Sequence, residues 1–303
     1  MALLQFREVV ERAGGPGVIY DSGRGMQDYS SALINRDAKL NMRAPKISAS
    51  WLSTVTHMDF MDIDGAKIAF RVTGSGPALL APECNYTWFP ELVELMARRF
   101  TVIIASPRDF GASTRTRGPY NPDRWASDLR QVALNLGFPR FLFFGYSFTG
   151  AFGPWLAQRL AEHGSVVAVA AGGFPLLGDY GITSRDVDVQ MAEMEQDESL
   201  WAQIDHRFDP VAGAIFYREL ASLAPNSLVD SAPSPLYCFW GDQDHDAVGM
   251  VLPHEELADG LSRRGVPWKQ YPGYDHEGLN GELQVAWPDV ETWLLEQAGE
   301  QGL

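Results

Sequence analysis

From about residue 56 onward, short runs of β-branched and aromatic residues alternate with stretches whose apolar positions recur every three to four residues. That alternation predicts an α/β domain, a mostly parallel central sheet flanked by helices. The runs HMDFMDIDG and AKIAFRVTG meet at Asp64-Gly65, a pair that readily supplies positive φ and so predicts a hairpin. ALLAP (78–82) reads as a short buried strand, FPELVELMARR as a helix and FTVIIAS (100–106) as the next strand. Pro122 is placed to open a helix, with Trp125, Leu129 and Val132 among its apolar positions and Gly137 as its stop. RFLFFG (140–145) reads as a central strand, residues 148–162 as a buried helix, and SVVAVAAGG (165–173) as strand again.

Between residues 174 and 232 the rhythm breaks. Trp201, Ile204 and Phe208, then Val211, Ile215, Phe216, Leu220 and Leu223, keep helical spacing with nothing strand-like between them, which predicts a helical insertion. Strand and helix resume with PLYCFWG (235–241), a helix ending near Gly265, the strand VPWKQYPG (266–273) and a last helix from about 280 to 298. The expected division is a core of 56–173 and 233–303, an insertion of 174–232 and an N-terminal extension of 1–55. In that extension Leu3, Phe6 and Val10 share one helical face and Gly14-Gly15 could end the helix. The segment reads as an arm packed on the domain or on a second copy, forming a homodimer, or as a free tail.

Composition narrows the function. Residues of the AVILMFWYC set make up 46% of the 303, enough for a large core. The formal charge of −15 repels phosphate backbones and anionic lipid, so neither nucleic acid nor a membrane is an expected partner. No run approaches the roughly 18–20 apolar residues of a membrane span, and Arg7 and Glu8 interrupt the start where a secretory segment would be apolar. Two cysteines, Cys84 and Cys238, are too few for a disulfide scaffold and suit a reducing compartment; a cytoplasmic protein acting on a small molecule is the expectation.

Candidate chemistry lies at Gly145-Tyr146-Ser147-Phe148-Thr149-Gly150, between an apolar strand and a helix. A serine hydroxyl is a poor nucleophile until a neighbouring base takes its proton. A tight strand-to-helix turn lifts that hydroxyl off the sheet and aims backbone N–H groups at developing negative charge. Two more loops follow strands: Gly241-Asp242-Gln243-Asp244 and Gly273-Tyr274-Asp275-His276.

These three segments resemble the α/β-hydrolase superfamily, whose nucleophile elbow reads G-x-S-x-G and whose chain order is Ser, acid, His; the resemblance spans roughly residues 56–298. It implies an α/β-hydrolase fold with a helical cap at 174–232, and a triad of Ser147, Asp244 and His276. His276 would accept the Ser147 proton while Asp244 orients the imidazole, in two-step acyl transfer on an ester, a lactone or a carbon–carbon bond. Asp242 competes with Asp244 for the acid; the superfamily acid usually lies three residues past the glycine, which favours Asp244 and leaves Asp242 a loop or capping residue. His245 reads as a hydrogen-bonding loop residue, and His57, His163, His206 and His254 lie outside the base position. No cofactor is implied.

Two departures from the pattern stand out. Thr149 occupies the second glycine position, where its branched side chain is expected to widen the elbow, with Gly150 supplying the close helix–strand approach one residue later. The oxyanion hole requires two N–H donors. Phe148 is one; the other, which in many relatives follows a His-Gly pair, must come from Glu83 or Cys84, because Pro82 has no N–H. An inward Glu83 carboxylate would oppose an oxyanion, so it is expected to turn outward or be protonated; binding a polar substrate group, or acting as an extra acid, is the alternative. Tyr86, Trp88, Tyr146 and Trp201 are the candidate substrate-lining residues, joined by Phe89, Phe208, Phe216 and Tyr217; burial in ordinary core is the default for each such aromatic, and together they suggest an apolar or aromatic substrate.

Metals and nucleotides find no motif. Asp242, Asp244 and Asp246 imitate the opening of a calcium loop, but Ala247 and Pro253 stand where glycine and glutamate are needed. Neither G-x-G-x-x-G between a strand and a helix nor a Walker lysine occurs. Non-catalytic ligand binding on a decayed site, and lyase or acyl-transferase chemistry, are the rival readings.

Overall fold

A computed structural model of the chain describes residues 58–84, 87–196 and 209–303. The first strands, β1 (Asp59–Ile63) and β2 (Ala66–Gly74), form the expected hairpin, turning through Asp64 (φ 47°) and Gly65 (φ 78°). Then follow β3 (Ala78–Leu80), α1 (Pro90–Ala97), β4 (Thr101–Ala105), α2 (Pro122–Asn135), β5 (Phe141–Tyr146), α3 (Phe148–Arg159) and β6 (Val166–Gly172). Beyond β6 come α4 (Gly181–Gln196), α5 (Pro210–Ala221) and α6 (Ser227–Asp230), and among the described residues no strand interrupts them. The chain closes with β7 (Leu236–Gly241), α7 (Val248–Val251), α8 (His254–Arg263), β8 (Trp268–Tyr271), α9 (His276–Gly281) and α10 (Trp287–Gln301).

The strands build one sheet in the order β1-β2-β4-β3-β5-β6-β7-β8. Only the β1/β2 and β2/β4 pairs are antiparallel. Sequence alternation on β5 separates two cores: Phe141 and Phe143 face α2 and α3, against Leu129, Val132, Phe152 and Trp155. Leu142, Phe144 and Tyr146 face α1 and α10, against Met96, Val290 and Leu294. With both faces covered, the central strands read as unbroken apolar runs, which is why they were recognisable without alternation.

Helix boundaries follow local chemistry. Asn121 caps α2 by accepting from Asp123 N–H (2.9 Å), with Pro122 where its missing N–H costs nothing. Asp209 caps α5 through Val211 and Ala212 N–H. The expected last helix over 280–298 is two helices: α9 starts at His276, capped by Asp275, which accepts from Gly278 N–H (2.7 Å), and α10 starts at Trp287 with Pro288 in its first turn. No helix among the described residues is long and apolar enough to cross a membrane. The expectations for residues 1–55, and for Tyr86, Trp201 and Phe208, lie outside the described residues.

Candidate active site

Ser147 sits in the turn between β5 and α3 with φ 55° and ψ −120°, a backbone conformation that a residue with a Cβ rarely adopts and that costs about 1–3 kcal/mol. Its N–H donates to Gly172 C=O (2.8 Å), tying the turn to β6. The surrounding glycines are sterically required. A Cβ on Gly150 would sit 2.3 Å from Gly172 O, and one on Gly145 would sit 2.3 Å from Thr149 O. Gly150 thus makes the expected close approach. Thr149 does not widen the elbow: its hydroxyl accepts from Tyr146 N–H and donates to Tyr146 C=O, each at 3.0 Å, stitching the turn closed beneath the nucleophile.

The loops after β7 and β8 are bound to each other before they present any side chain. Asp242 N–H donates to Tyr271 C=O, Asp242 Oδ1 accepts from Gly273 N–H (2.7 Å), and Gln243 N–H donates to Tyr274 C=O. A Cβ on Gly241 would meet Tyr274 O at 2.0 Å, so only glycine permits this approach. Asp242 thus ties the two loops together.

On this frame Asp244 Oδ1 accepts from Ala247 and Val248 N–H (3.1 and 3.0 Å), and Oδ2 lies 2.7 Å from His276 Nδ1. His276 Nε2 lies 2.9 Å from Ser147 Oγ. The structure therefore brings Ser147, His276 and Asp244 into one hydrogen-bonded row, all buried. Because a carboxylate accepts at Nδ1, the proton belongs there, and the Nε2 lone pair faces the serine hydroxyl.

Four residues to which the sequence assigned no such role, Tyr146, His254, Gln270 and His245, pack behind this row. Tyr146 Oη donates to His276 C=O (2.9 Å), with its ring 5.2 Å from the imidazole. His254 Nε2 lies 2.8 Å from Asp244 C=O, and the Gln270 amide Nε2, 3.1 Å away, donates to His254 Nδ1, so the Nε2–H of His254 is the donor. His245 stacks on His254 at 5.4 Å. The only sequence signal for any support was the Asp275-x-x-Gly278 cap that starts a helix on the base itself; His254 and Gln270 meet Asp244 through tertiary packing that no spacing reveals.

The loop after β3 holds the two candidate N–H groups differently. Glu83 N–H donates to Ala105 C=O (3.1 Å), so it is consumed by the strand ladder and is not free to meet an oxyanion. Cys84 C=O accepts from Gly111 N–H, while Cys84 N–H has no partner among the described residues; the same is true of Phe148 N–H at the start of α3. Parallel pairing of β3 with β5, Leu80 opposite Phe143, brings the loop after β3 out at the same edge of the sheet as the turn at Ser147. The Cys84 thiol itself is buried, and burial followed by the Glu83 charge pushes its pKa up, so it stays protonated.

Glu83 is neither exposed nor free. Its carboxylate, with the residue only 7% exposed, accepts from Arg71 Nη2 (2.8 Å) and Trp88 N–H (3.0 Å) through Oε1. Trp88, expected to line a pocket, is core: its Nε1–H donates to Ala81 C=O (3.1 Å) and its ring lies 5.2 Å from Phe144, on the α1 and α10 face. Tyr146 likewise is wholly buried beneath the base rather than lining a pocket. Phe216 and Tyr217 of α5 pack on the Phe148 ring at 4.9 and 5.6 Å. Among the described residues no group of three or more His, Cys, Asp or Glu is arranged to hold a metal ion.

Solved structures share this architecture. The chain is similar to a hydrolase from Pseudomonas aeruginosa (TM-score 0.61, 19% identity, covering 79% of this chain and 99% of that one). It is also similar to an E-2-(acetamidomethylene)succinate hydrolase (TM-score 0.57, 17% identity, 79% and 99%) and to the enol-lactonase of Burkholderia xenovorans LB400 (0.56, 17%, 78% and 100%). The chain has the α/β-hydrolase fold. Among curated proteins, the chain is similar over 120 residues to an uncharacterised protein of Mycobacterium tuberculosis (29% identity, 38% of this chain and 35% of that one). Over 119 residues it is similar to a fluoroacetate dehalogenase of Burkholderia sp (33% identity, 36% and 38%). These matches span little more than a third of the relatives' lengths. No protein-family model matches the chain.

Proposed function

We propose that this α/β-hydrolase chain is a serine hydrolase that cleaves a carboxylic ester or lactone through an acyl-enzyme. The observation that carries the reading is His276 placed between Ser147 (2.9 Å) and Asp244 (2.7 Å). In the first step Ser147 Oγ attacks the substrate carbonyl carbon as His276 Nε2 takes its proton; Asp244 holds the imidazole's other N–H and stabilises its charge. The negative oxygen that forms meets the N–H groups of Phe148 and Cys84. Donors of this kind are each worth roughly 10²–10³ in rate. His276 then gives its proton to the departing alcohol, and a water, deprotonated by the same Nε2, releases the acid and restores Ser147.

Serine chemistry also argues against carrying over the activity of the dehalogenase relative. An alcohol displacing halide from carbon would leave an ether, which water does not cleave at turnover rates, whereas the ester left by attack on a carbonyl is hydrolysable.

The helices of 174–232 serve in this reading as a cap over the site. The support is contact: Phe216 and Tyr217 of α5 lie against Phe148, the residue after the nucleophile. Phe110, whose ring is 5.6 Å from Phe148, joins them in the buried core behind the nucleophile, so an apolar or aromatic acyl group rests on the apolar character of this wall alone. Assay of p-nitrophenyl esters of increasing acyl length beside a lactone panel tests the reading: turnover is expected, lost in Ser147→Ala. Full activity in that variant removes the triad.

A further inference from the structure

The loop after β3 contains an ion pair that the proposed reaction does not use. Arg71 lies on β2, with its side chain 11% exposed, and Glu83, 9% exposed, lies on the loop that carries the Cys84 N–H. Two buried charges with this geometry need a reason, because desolvation offsets most of their attraction and apolar residues commonly fill such a space as well.

The polar groups of Glu83 and Cys84 supply one. Glu83 N–H is held by Ala105 C=O, Glu83 C=O by the Ser106 hydroxyl, and Cys84 C=O by Gly111 N–H. The Glu83 carboxylate is held by Arg71 from one side and by Trp88 N–H from the other. Gly111 is itself constrained: at φ 52° a Cβ would meet the Ser106 hydroxyl at 2.2 Å and Glu83 O at 2.9 Å. Every hydrogen-bonding backbone group of the dipeptide is thus fixed to the scaffold except Cys84 N–H, on a loop that leaves the sheet at the same edge as Ser147, one strand away. The Glu83–Trp88 bond spans the loop like a strut, and Arg71 both anchors that strut to β2 and neutralises a carboxylate that would otherwise oppose an oxyanion.

We propose that the buried Arg71–Glu83 pair is the positioning device of the oxyanion loop, holding Cys84 N–H at the distance the tetrahedral intermediate requires. The proposal rests on the serine hydrolase reading. Arg71 and Glu83 touch no substrate; they act through the backbone of Cys84. Because both residues serve one strut, they are expected to behave as a unit rather than additively.

The test uses the full chain as Arg71→Met, Glu83→Ala and the double variant, each titrated to completion with a fluorophosphonate so that rates are expressed per reactive Ser147. Expected per site is a kcat lowered roughly 10–100-fold, below the cost of deleting a donor outright, with KM changed by less than about threefold. Affinity for a boronic acid that mimics the tetrahedral intermediate should fall in parallel, and the double variant should be no slower than the worse single. Removing both charges leaves no unpaired ion, so the double variant keeps the test open where a single one fails to fold. A purely structural pair would give fewer titratable sites, each turning over at the wild-type rate with unchanged boronate affinity, and that result overturns the proposal. If the wild-type chain takes up no phosphonate at Ser147, the hydrolase reading fails first and the proposal with it.

Discussion

Tyr146, the residue before the nucleophile, donates its phenolic hydrogen bond to the backbone carbonyl of His276 (2.9 Å). Nucleophile and base are therefore linked beneath the triad by a bond independent of the one between their reacting atoms. Tyr146→Phe keeps the ring packing against Phe239 and removes only that bond. It should cost about 0.5–1.5 kcal/mol, the net worth of one buried hydrogen bond, because His276 C=O keeps its place in the α9 ladder, and lower kcat severalfold. Urea unfolding beside steady-state kinetics checks both.

Thr149 makes a related prediction. Its hydroxyl serves both the N–H and the C=O of Tyr146, so Thr149→Val, nearly the same shape, removes two buried hydrogen bonds and should cost about 1–3 kcal/mol. Thr149→Ser retains the hydroxyl and should cost less. Equal losses in the two variants would show that the methyl group matters rather than the stitch.

Glycines divide sharply by surroundings. Gly150→Ala places a methyl 2.3 Å from Gly172 O and should destabilise by at least about 1–3 kcal/mol. Gly299→Ala, in α10 with nothing within 4 Å, should instead stabilise by about 0.5–1 kcal/mol through helix propensity. Thermal melts of the two variants should move in opposite directions.

The cysteines should be inert in the folded protein and should weaken it at high pH. Burial pushes the Cys238 thiol up to about 12, and that of Cys84 upward as well. Unfolded thiols lose their protons near pH 9 while the folded ones keep theirs, so this contribution is intact below about pH 9 and declines as pH rises from there toward the folded values. Iodoacetamide labelling at pH 8 should follow global unfolding in urea; rapid labelling of the native chain would contradict the burial argument.

Much of this was legible before any coordinates. The Gly-x-Ser turn and two loops following strands carried Ser147, Asp244 and His276 because each depends on local sequence: a strand, a glycine, a short turn. What was not legible depends on partners distant in the chain. Whether Glu83 N–H was free could be decided only by its bond to Ala105, and its carboxylate by Arg71 on the second strand. Trp88 and Tyr146 are core residues that sequence cannot tell from pocket residues, because an aromatic side chain near a site looks the same in sequence whether it faces the cavity or the core beneath. The last helix was placed too early because apolar spacing runs through residues 276–301, while Asp275 and Pro288 mark two separate starts.

The central claim is that Ser147 becomes covalently acylated with His276 as its base. The most direct measurement is rapid-quench mass spectrometry of the peptide containing residue 147 during turnover of an activated ester. The account predicts one acyl group on Ser147 in the wild-type chain, none in Ser147→Ala, and accumulation slowed by at least about a thousandfold in His276→Ala. An acyl group on another side chain, or turnover that continues with Ser147 unmodified, would contradict it.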